Sequence, residues 1–272
     1  MNLDYKQNKS YGYELTDKKK MSARERNVKE RFALLKKSRI FPPADILEVG
    51  SHDGLFLKMA KESGYGVLGI EPNTHATKYA LANGIETIEG YFEESFGQVA
   101  NRRFDVVALF HVLEHIPDYA DCLSKIKSIL KHGGCLILEV PNEKSYRAKK
   151  YGKDWMYFYE EHLHDFSPER IKKELSQLGF EVTHIYFRDF DCVHLSLRAL
   201  LDRLLPFKFR SMNIKIRNQI KEEISSVSDT ENFKNKSKDV GFFLMPIKVF
   251  LAFCVKILKR GDFIMIVARK NN

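Results

Sequence analysis

A short apolar run that stops on a glycine, turns within four residues and enters a helical pattern leaves a chain few folds to choose from. Asp45-Ile-Leu-Glu-Val-Gly-Ser-His-Asp-Gly-Leu-Phe56 is such a stretch. Ile46, Leu47 and Val49 read as a buried strand ending at Gly50. Gly54 closes the turn, and Leu55-Phe-Leu-Lys-Met-Ala-Lys61 follows with a helical pattern. Strand, glycine turn and helix start together make the crevice at which doubly wound α/β folds bind nucleotide-like ligands. Glu48 interrupts the apolar run, and a carboxylate inside a parallel strand is costly unless something uses it. The plainer alternative is a helix capped by Asp53, with Gly50 as an ordinary turn residue.

The next segments keep the same rhythm. Gly66-Val-Leu-Gly-Ile-Glu-Pro72 is a second apolar strand closed by an acid, 23 residues after Glu48. An acid at that place can accept hydrogen bonds from both hydroxyls of a ribose. Pro72 breaks the strand, and a helix begins at Asn73-Thr-His-Ala. Further strands are expected at Ile85–Glu89, Arg103–Phe110 and Cys135–Val140, with a helix over Tyr119–Lys131. Gly90-Tyr-Phe92 lies at the exit of the third strand.

The motif from Glu48 to Gly54 resembles motif I of the class I S-adenosylmethionine (SAM) methyltransferases. The dinucleotide fingerprint G-x-G-x-x-G fits poorly, because Gly50-Ser-His-Asp-Gly54 has no third glycine. A pyrophosphate needs a bare helix N-terminus. SAM carries a sulfonium and an ammonium, which makes carboxylates at Glu48 and Asp53 tolerable. Phe104-Asp-Val-Val107, His111-Val-Leu-Glu-His-Ile-Pro-Asp118, Leu130-Lys-His-Gly-Gly134 and Glu139-Val-Pro-Asn142 also resemble that superfamily, in order and spacing. Tyr159-Glu-Glu-His-Leu-His-Asp-Phe-Ser167 and Gly179-Phe-Glu-Val182 resemble the branch whose members often methylate sugars, quinone precursors and other small molecules. The likeness covers residues 44–190 and the final strand.

The resemblance implies an α/β fold: a Rossmann-like, seven-stranded, mostly parallel sheet with an antiparallel last strand near Asp262–Arg269. It implies SAM as cofactor and S-adenosylhomocysteine as product. The cofactor contacts it implies are Glu48, Gly50, Ser51, His52, Asp53, Gly54, Glu71, Pro72, Tyr91, Phe92, Phe110 and His111.

Methyl transfer from SAM is an in-line displacement at carbon, governed largely by proximity and alignment. A hydroxyl acceptor must also lose its proton, a task that suits a His or a carboxylate. His52, His111, His115, His162 and His164 fall near the expected ligand-binding edge. His162 is the first choice for base, with Glu161 beside it to orient the ring, as the resemblance to sugar methyltransferases implies. His164 and His111 are the further candidates. Glu114 and His115 can be read as organising their own loop. Trp155, Tyr157 and Tyr159 suit a wall against a sugar ring, or else pack onto the sheet. No metal is expected, since His162-x-His164 has no third ligand at zinc spacing.

Charge divides the chain. Residues 1–40 hold 12 Lys and Arg against 5 Asp and Glu, and residues 192–272 hold 16 against 7. The stretch between holds 17 against 24, an acidic core between basic ends. Basic ends suit an anionic partner such as a nucleotide-sugar or a phospholipid surface, or they simply keep the chain soluble. No nucleic-acid module is visible, and nucleic acid is not expected as a partner. The expected organisation is a basic helical extension over 1–40, a SAM-binding core over 41–191, a helical insertion over 192–261 and a last strand over 262–272. Residues 241–258 are strongly apolar but carry Pro246, Lys248 and Lys256, which fits a docked or interfacial helix better than a spanning one. The insertion is placed to form a cap, a homodimer surface or a peripheral membrane contact. Four scattered cysteines and a polar first 30 residues fit the cytoplasm, with membrane contact at its inner face. The function expected is methyl transfer to a small molecule, a sugar or nucleotide-sugar hydroxyl in surface polysaccharide synthesis. The alternative is a non-catalytic SAM-binding partner or scaffold.

Overall fold

The structure is a computed structural model that describes residues 18–155, 157–158, 161–188 and 261–271, with side chains from Arg24 onward. The described residues up to Tyr186, with Asp262 and those after it, belong to one compact unit. The expected insertion at 192–261, with its membrane and dimer surfaces, lies outside the described residues, as does Tyr159.

Helix α1 (Lys18–Lys37) comes first. Five strands alternating with four helices follow: β1 (Asp45–Val49), α2 (Leu55–Glu62), β2 (Gly66–Glu71), α3 (Thr74–Ala82), β3 (Thr87–Glu89), α4 (Phe92–Val99), β4 (Phe104–Phe110), α5 (Tyr119–Ile129) and β5 (Leu130–Pro141). Then come α6 (Tyr146–Tyr151), α7 (Pro168–Gln177), β6 (Phe180–Arg188) and β7 (Phe263–Lys270). The seven strands form one sheet in the order β3-β2-β1-β4-β5-β7-β6. Pairs from β3 to β5 are parallel, and β7 runs antiparallel to β5, from Pro141 opposite Phe263 to Cys135 opposite Arg269.

The apolar runs form strands because both sheet faces are covered. Leu47, Leu68, Val107, Leu109, Leu136 and Ile266 have no exposure at all. Each such side chain contributes about 1.5–3 kcal/mol of burial free energy. On α1, Val28, Leu34 and Leu35 are buried in the same core as Ile46 and Val106, and Phe32 meets the Tyr65 ring edge-on at 5.9 Å. Asn73 starts α3 by accepting from the N–H groups of His75 and Ala76, each at 3.0 Å.

Two expected boundaries move. The helix after Tyr119 stops at Ile129, and β5 begins at Leu130, five residues early. Buried Leu130 pairs with Phe104 in extended form, and the register then shifts before Val106 meets Cys135. The third strand is only Thr87–Glu89, because Ile85 is held by the end of α3, its N–H donating to Ala80 O. Among the described residues, no helix is long and apolar enough to cross a membrane.

The strand order reverses between β1 and β4. In a doubly wound sheet the ligand crevice opens outside the carboxyl ends of the strands at that point. The predicted site residues divide along it: 48–54 and 71 lie at the ends of β1 and β2, while Phe110 and His111 lie at the end of β4.

Candidate active site

Three carboxylates are buried where β1 and β2 end. Glu48, Asp53 and Glu71 are 4%, 6% and 1% exposed. Glu71 takes two backbone donors, His52 N–H at Oε2 and Asn73 N–H at Oε1, both at 2.8 Å, which fix the orientation of its carboxylate. Glu48 is different: its Oε2 is buried with no hydrogen-bond partner. Burial pushes its carboxyl well above the usual carboxylate range; Asp53 and Glu71 add to this and Arg31 opposes it. The Ser51 hydroxyl is likewise buried without a partner.

The turn between them needs its glycines. Gly50 has φ +72°, and a Cβ there would overlap Cγ2 of Val112 from the loop after β4. Gly54 has φ +75° and occupies the N-cap of α2, where no side chain caps the helix. Asp53 is therefore not the simple cap of the plainer reading. Its Oδ1 accepts from Leu55 N–H at a long 3.4 Å, but its close partner is on α1: Arg24 Nη2 donates to it at 2.6 Å, with His52 Nδ1 at 3.2 Å from the same nitrogen. Burial pushes the Asp53 carboxyl up, but the His52 ring and the Arg24 guanidinium outweigh it and hold it below its ordinary value.

A second arginine of α1 reaches across the crevice. Arg31 Nε donates to Glu139 Oε2 at 2.6 Å, and its guanidinium lies 4.4 Å from the Phe110 ring centroid. Sequence reasoning missed Arg24, Arg31 and Glu139 as site residues. The signal for Glu139 was present, since it is an acid inside an apolar strand as Glu48 is, but the helix arginines carry no local signature.

Past β4 the chain builds a cluster of imidazoles and carboxylates. His111 stands at φ +59°, its N–H bound to Glu139 O at 2.8 Å. Its ring lies between two fully buried acids, Nδ1 at 3.4 Å from Glu114 and Nε2 at 3.5 Å from Glu139. Burial pushes this imidazole down, but the two carboxylates outweigh it and raise it above the ordinary histidine value. Neither oxygen of Glu114 accepts a hydrogen bond.

The loop 113–117 is tied to the segment 161–164 by three sets of bonds. Leu163 N–H donates to Glu114 O at 2.8 Å, His115 Nδ1 to Glu161 O at 2.9 Å, and His164 Nε2 to the carbonyls of Ile116 and Pro117 at 3.0 and 3.1 Å. His162 Nδ1 donates to Tyr157 O at 2.8 Å, and the His115 and His162 rings meet edge-on at 4.7 Å. A carbonyl oxygen can only accept, so His115 and His162 carry their protons on Nδ1. When neutral, each holds its lone pair on Nε2. Burial, the largest influence, pushes His162 below the ordinary histidine value.

Not every expected role fits these contacts. Glu161 does not orient His162 by its side chain, which is exposed; its carbonyl holds His115 instead. His164 uses Nε2 as a donor in stapling the loops. Trp155 is buried at 3% exposure against Tyr157 and Phe158, ring centroids 5.3 and 4.9 Å away, so it is packing rather than an open wall. Tyr157 is half-buried against Phe263. Phe92 is buried against Phe96, while Tyr91 occupies the N-cap of α4 and Pro72 follows β2. Zinc spacing in the sequence offers no third ligand near His162, yet folding brings Glu114 and His115 from another loop. One ligand atom from each of Glu114, His115 and His162 lies within 4.8 Å of the others.

The residues fit SAM. Three clustered carboxylates, of which Asp53 is paired with Arg24, suit a ligand with positive charge, and Glu48 and Ser51 present buried polar atoms without partners.

Comparison with known proteins agrees. A family profile described as "Methyltransferase domain" matches residues 20–185, more than half of the chain. The chain belongs to this family, and with it to the class I SAM-dependent methyltransferase superfamily. It is 28% identical to an Aeromonas salmonicida "Ubiquinone biosynthesis O-methyltransferase" over 55% of this chain and 66% of that protein. It is also 28% identical to the Streptomyces niveus "C-methyltransferase NovU", over 35% of this chain and 24% of that protein. The chain thus spans less than two thirds of the length of either relative. A SAM-dependent methyltransferase from Archaeoglobus fulgidus shares the fold at TM-score 0.56 and 21% identity, over 89% of this chain and 94% of that one. The [4+2]-cyclase SpnF shares it at TM-score 0.51 and 13% identity, over 90% and 80%.

Proposed function

We propose that the protein transfers the methyl group of SAM to a hydroxyl of a small molecule, with a sugar, free or nucleotide-linked, as the acceptor class. Bound SAM supplies an electrophilic methyl on a good leaving group: an acceptor oxygen–carbon bond forms as the carbon–sulfur bond breaks, and the electron pair stays on sulfur. Glu48, Ser51, Asp53 and Glu71 hold the cofactor. The Glu114–His115–His162 cluster takes the acceptor side, with Nε2 of His162 as the atom that meets the hydroxyl proton.

The observation that carries this reading is the pairing of two unlike sites at one sheet edge. Buried acids follow β1 and β2, and an imidazole–carboxylate cluster follows β4 and β5. A protein that only bound SAM would need the first and not the second. The similar proteins include both an O- and a C-methyltransferase; a basic nitrogen beside buried carboxylates suits an O–H acceptor. The basic ends of the chain support an anionic, nucleotide-linked sugar in surface polysaccharide synthesis, made on the cytoplasmic side.

The test uses the full chain. SAM binding is followed by calorimetry, and S-adenosylhomocysteine release is measured with sugars, nucleotide-sugars and phenols. Acceptor-dependent release establishes the reading, and the acceptor panel ranks the class. Tight SAM binding with no release against any hydroxyl returns the protein to the scaffold alternative.

A further inference from the structure

We propose that Glu114, His115 and His162 form a binding site for one divalent transition-metal cation, with an open position for the acceptor oxygen. The inference rests on the methyl-transfer reading and deepens it. It moves His162 from proton acceptor to cation ligand.

Four observations converge. The three residues offer ligand atoms within 4.8 Å of one another, close enough for small side-chain rotations to close on a cation. Glu114 is fully buried, and neither of its oxygens accepts a hydrogen bond. A buried carboxylate in that state costs free energy unless a cation answers it. Glu114 Oε1 lies 3.4 Å from His111 Nδ1, longer than a good hydrogen bond. Both histidines are held through Nδ1 by backbone carbonyls, Glu161 O and Tyr157 O. Metal-binding imidazoles are commonly oriented this way, with the second nitrogen tied to a carbonyl and Nε2 turned to the ion.

The donor set decides the kind of ion. Two imidazoles and one carboxylate suit Zn2+ or Fe2+ and its neighbours better than Mg2+ or Ca2+, which prefer all-oxygen shells. Three protein ligands leave a coordination position open, as in catalytic rather than structural zinc sites. A hydroxyl in that position becomes more acidic and loses its proton to water, so no side chain need act as base. The carbonyl staples across residues 114–164 then have a purpose: they hold two separate loops at the spacing one ion requires.

The probe is Zn2+ added to chelator-treated full-length protein, read by calorimetry, with Co2+ substitution read by visible absorption. One equivalent should bind, and Co2+ should give a spectrum of nitrogen and oxygen ligands. Loss of an outer partner typically weakens a metal site about 10–100-fold, so loss of a direct ligand should weaken it about a hundredfold or more. Glu114→Gln tests the buried ligand. His115→Ala tests the more exposed one, in case the first fails to fold. Absent binding, or binding unchanged in the folded variants, overturns the site. Full turnover after chelation overturns its role toward the acceptor while leaving the methyltransferase reading intact. SAM binding measured on the same samples separates the two, since failure of the function reading would show there or in the acceptor panel.

Discussion

The two halves of the crevice are made in opposite ways. The cofactor side comes from Glu48–Gly54 and Glu71, two neighbouring strands and the turn after the first, with hydrogen bonds such as His52 N–H to Glu71 that span 19 positions. The acceptor side joins residues 111–115 to 139 and 157–164, through bonds such as His115 to Glu161 that span 46 positions. Backbone geometry fixes the first: a glycine at positive φ and two N–H donors on one carboxylate. Side chains reaching between loops fix the second. A local strand-turn-helix can therefore stay the same while the loops opposite are rebuilt for other chemistry. The [4+2]-cyclase that shares this fold makes the same point, because fold does not by itself define the reaction.

The largest effect should come where the halves touch. Val112, between His111 and Glu114, packs where a Gly50 side chain would stand. Gly50→Val combines overpacking, about 1–3 kcal/mol, with left-handed backbone strain of about 1–3 kcal/mol. The melting temperature should fall by about 5–15 °C at the usual conversion for a chain of this size. SAM binding and turnover should fall together. A variant that melts like the wild type would show that the halves are independent.

Next comes the acceptor side alone. His162→Ala should lower turnover about a hundred-fold to ten-thousand-fold, whether the ring meets the proton or a cation. SAM affinity should stay within about twofold, because the residue is not among those that follow β1 and β2. Equal loss of both quantities would mean that the two sides cannot be separated.

The cofactor side answers to Glu71→Ala. Two ribose hydrogen bonds to a charged acceptor are worth about 1.5–3 kcal/mol each at most, and less net. SAM affinity should fall about tenfold or more, with turnover at saturating SAM much less affected. Unchanged affinity in calorimetry would remove Glu71 from the cofactor site.

The same contrast explains what was legible in the sequence. The first five strands follow from apolar runs broken by glycine and proline, whereas the seven-stranded sheet with its antiparallel last strand comes from the family resemblance; the acids at 48 and 71 stand out because they interrupt such runs. Histidines 111 to 164 were recognisable as candidates, but not their partners. The tie between Glu114 and the 161–164 segment depends on how loops fold over the sheet edge. Local spacing therefore could not reveal the three-residue cluster, and it suggested Glu161 as the partner of His162 where Tyr157 O serves. Trp155 stays open between wall and packing for a related reason: an aromatic beside a site can face the ligand or the core, and the neighbouring rings decide.

The smallest expected effect concerns the strap that α1 lays over the cofactor side. Arg24 is partly exposed, so its pair with Asp53 is screened and worth about 1 kcal/mol. The Asp53 carboxyl is held below its ordinary value, partly by this arginine. A carboxylate with a depressed folded-state pKa adds stability above the unfolded value of about 3.9. That stability fades as pH drops through the lower folded value, where the group is protonated in both states. Arg24→Ala should therefore be less stable than the wild type at pH 7, with the gap narrowing below about pH 4. Urea unfolding at pH 7 and in acid measures it. A gap of equal size at both would mean that Arg24 acts through packing of its stem, leaving the acids of the cofactor side without this counter-charge. Where the gap narrows in acid as expected, added SAM should stabilise the variant more than the wild type, since its positive groups would answer the same carboxylates.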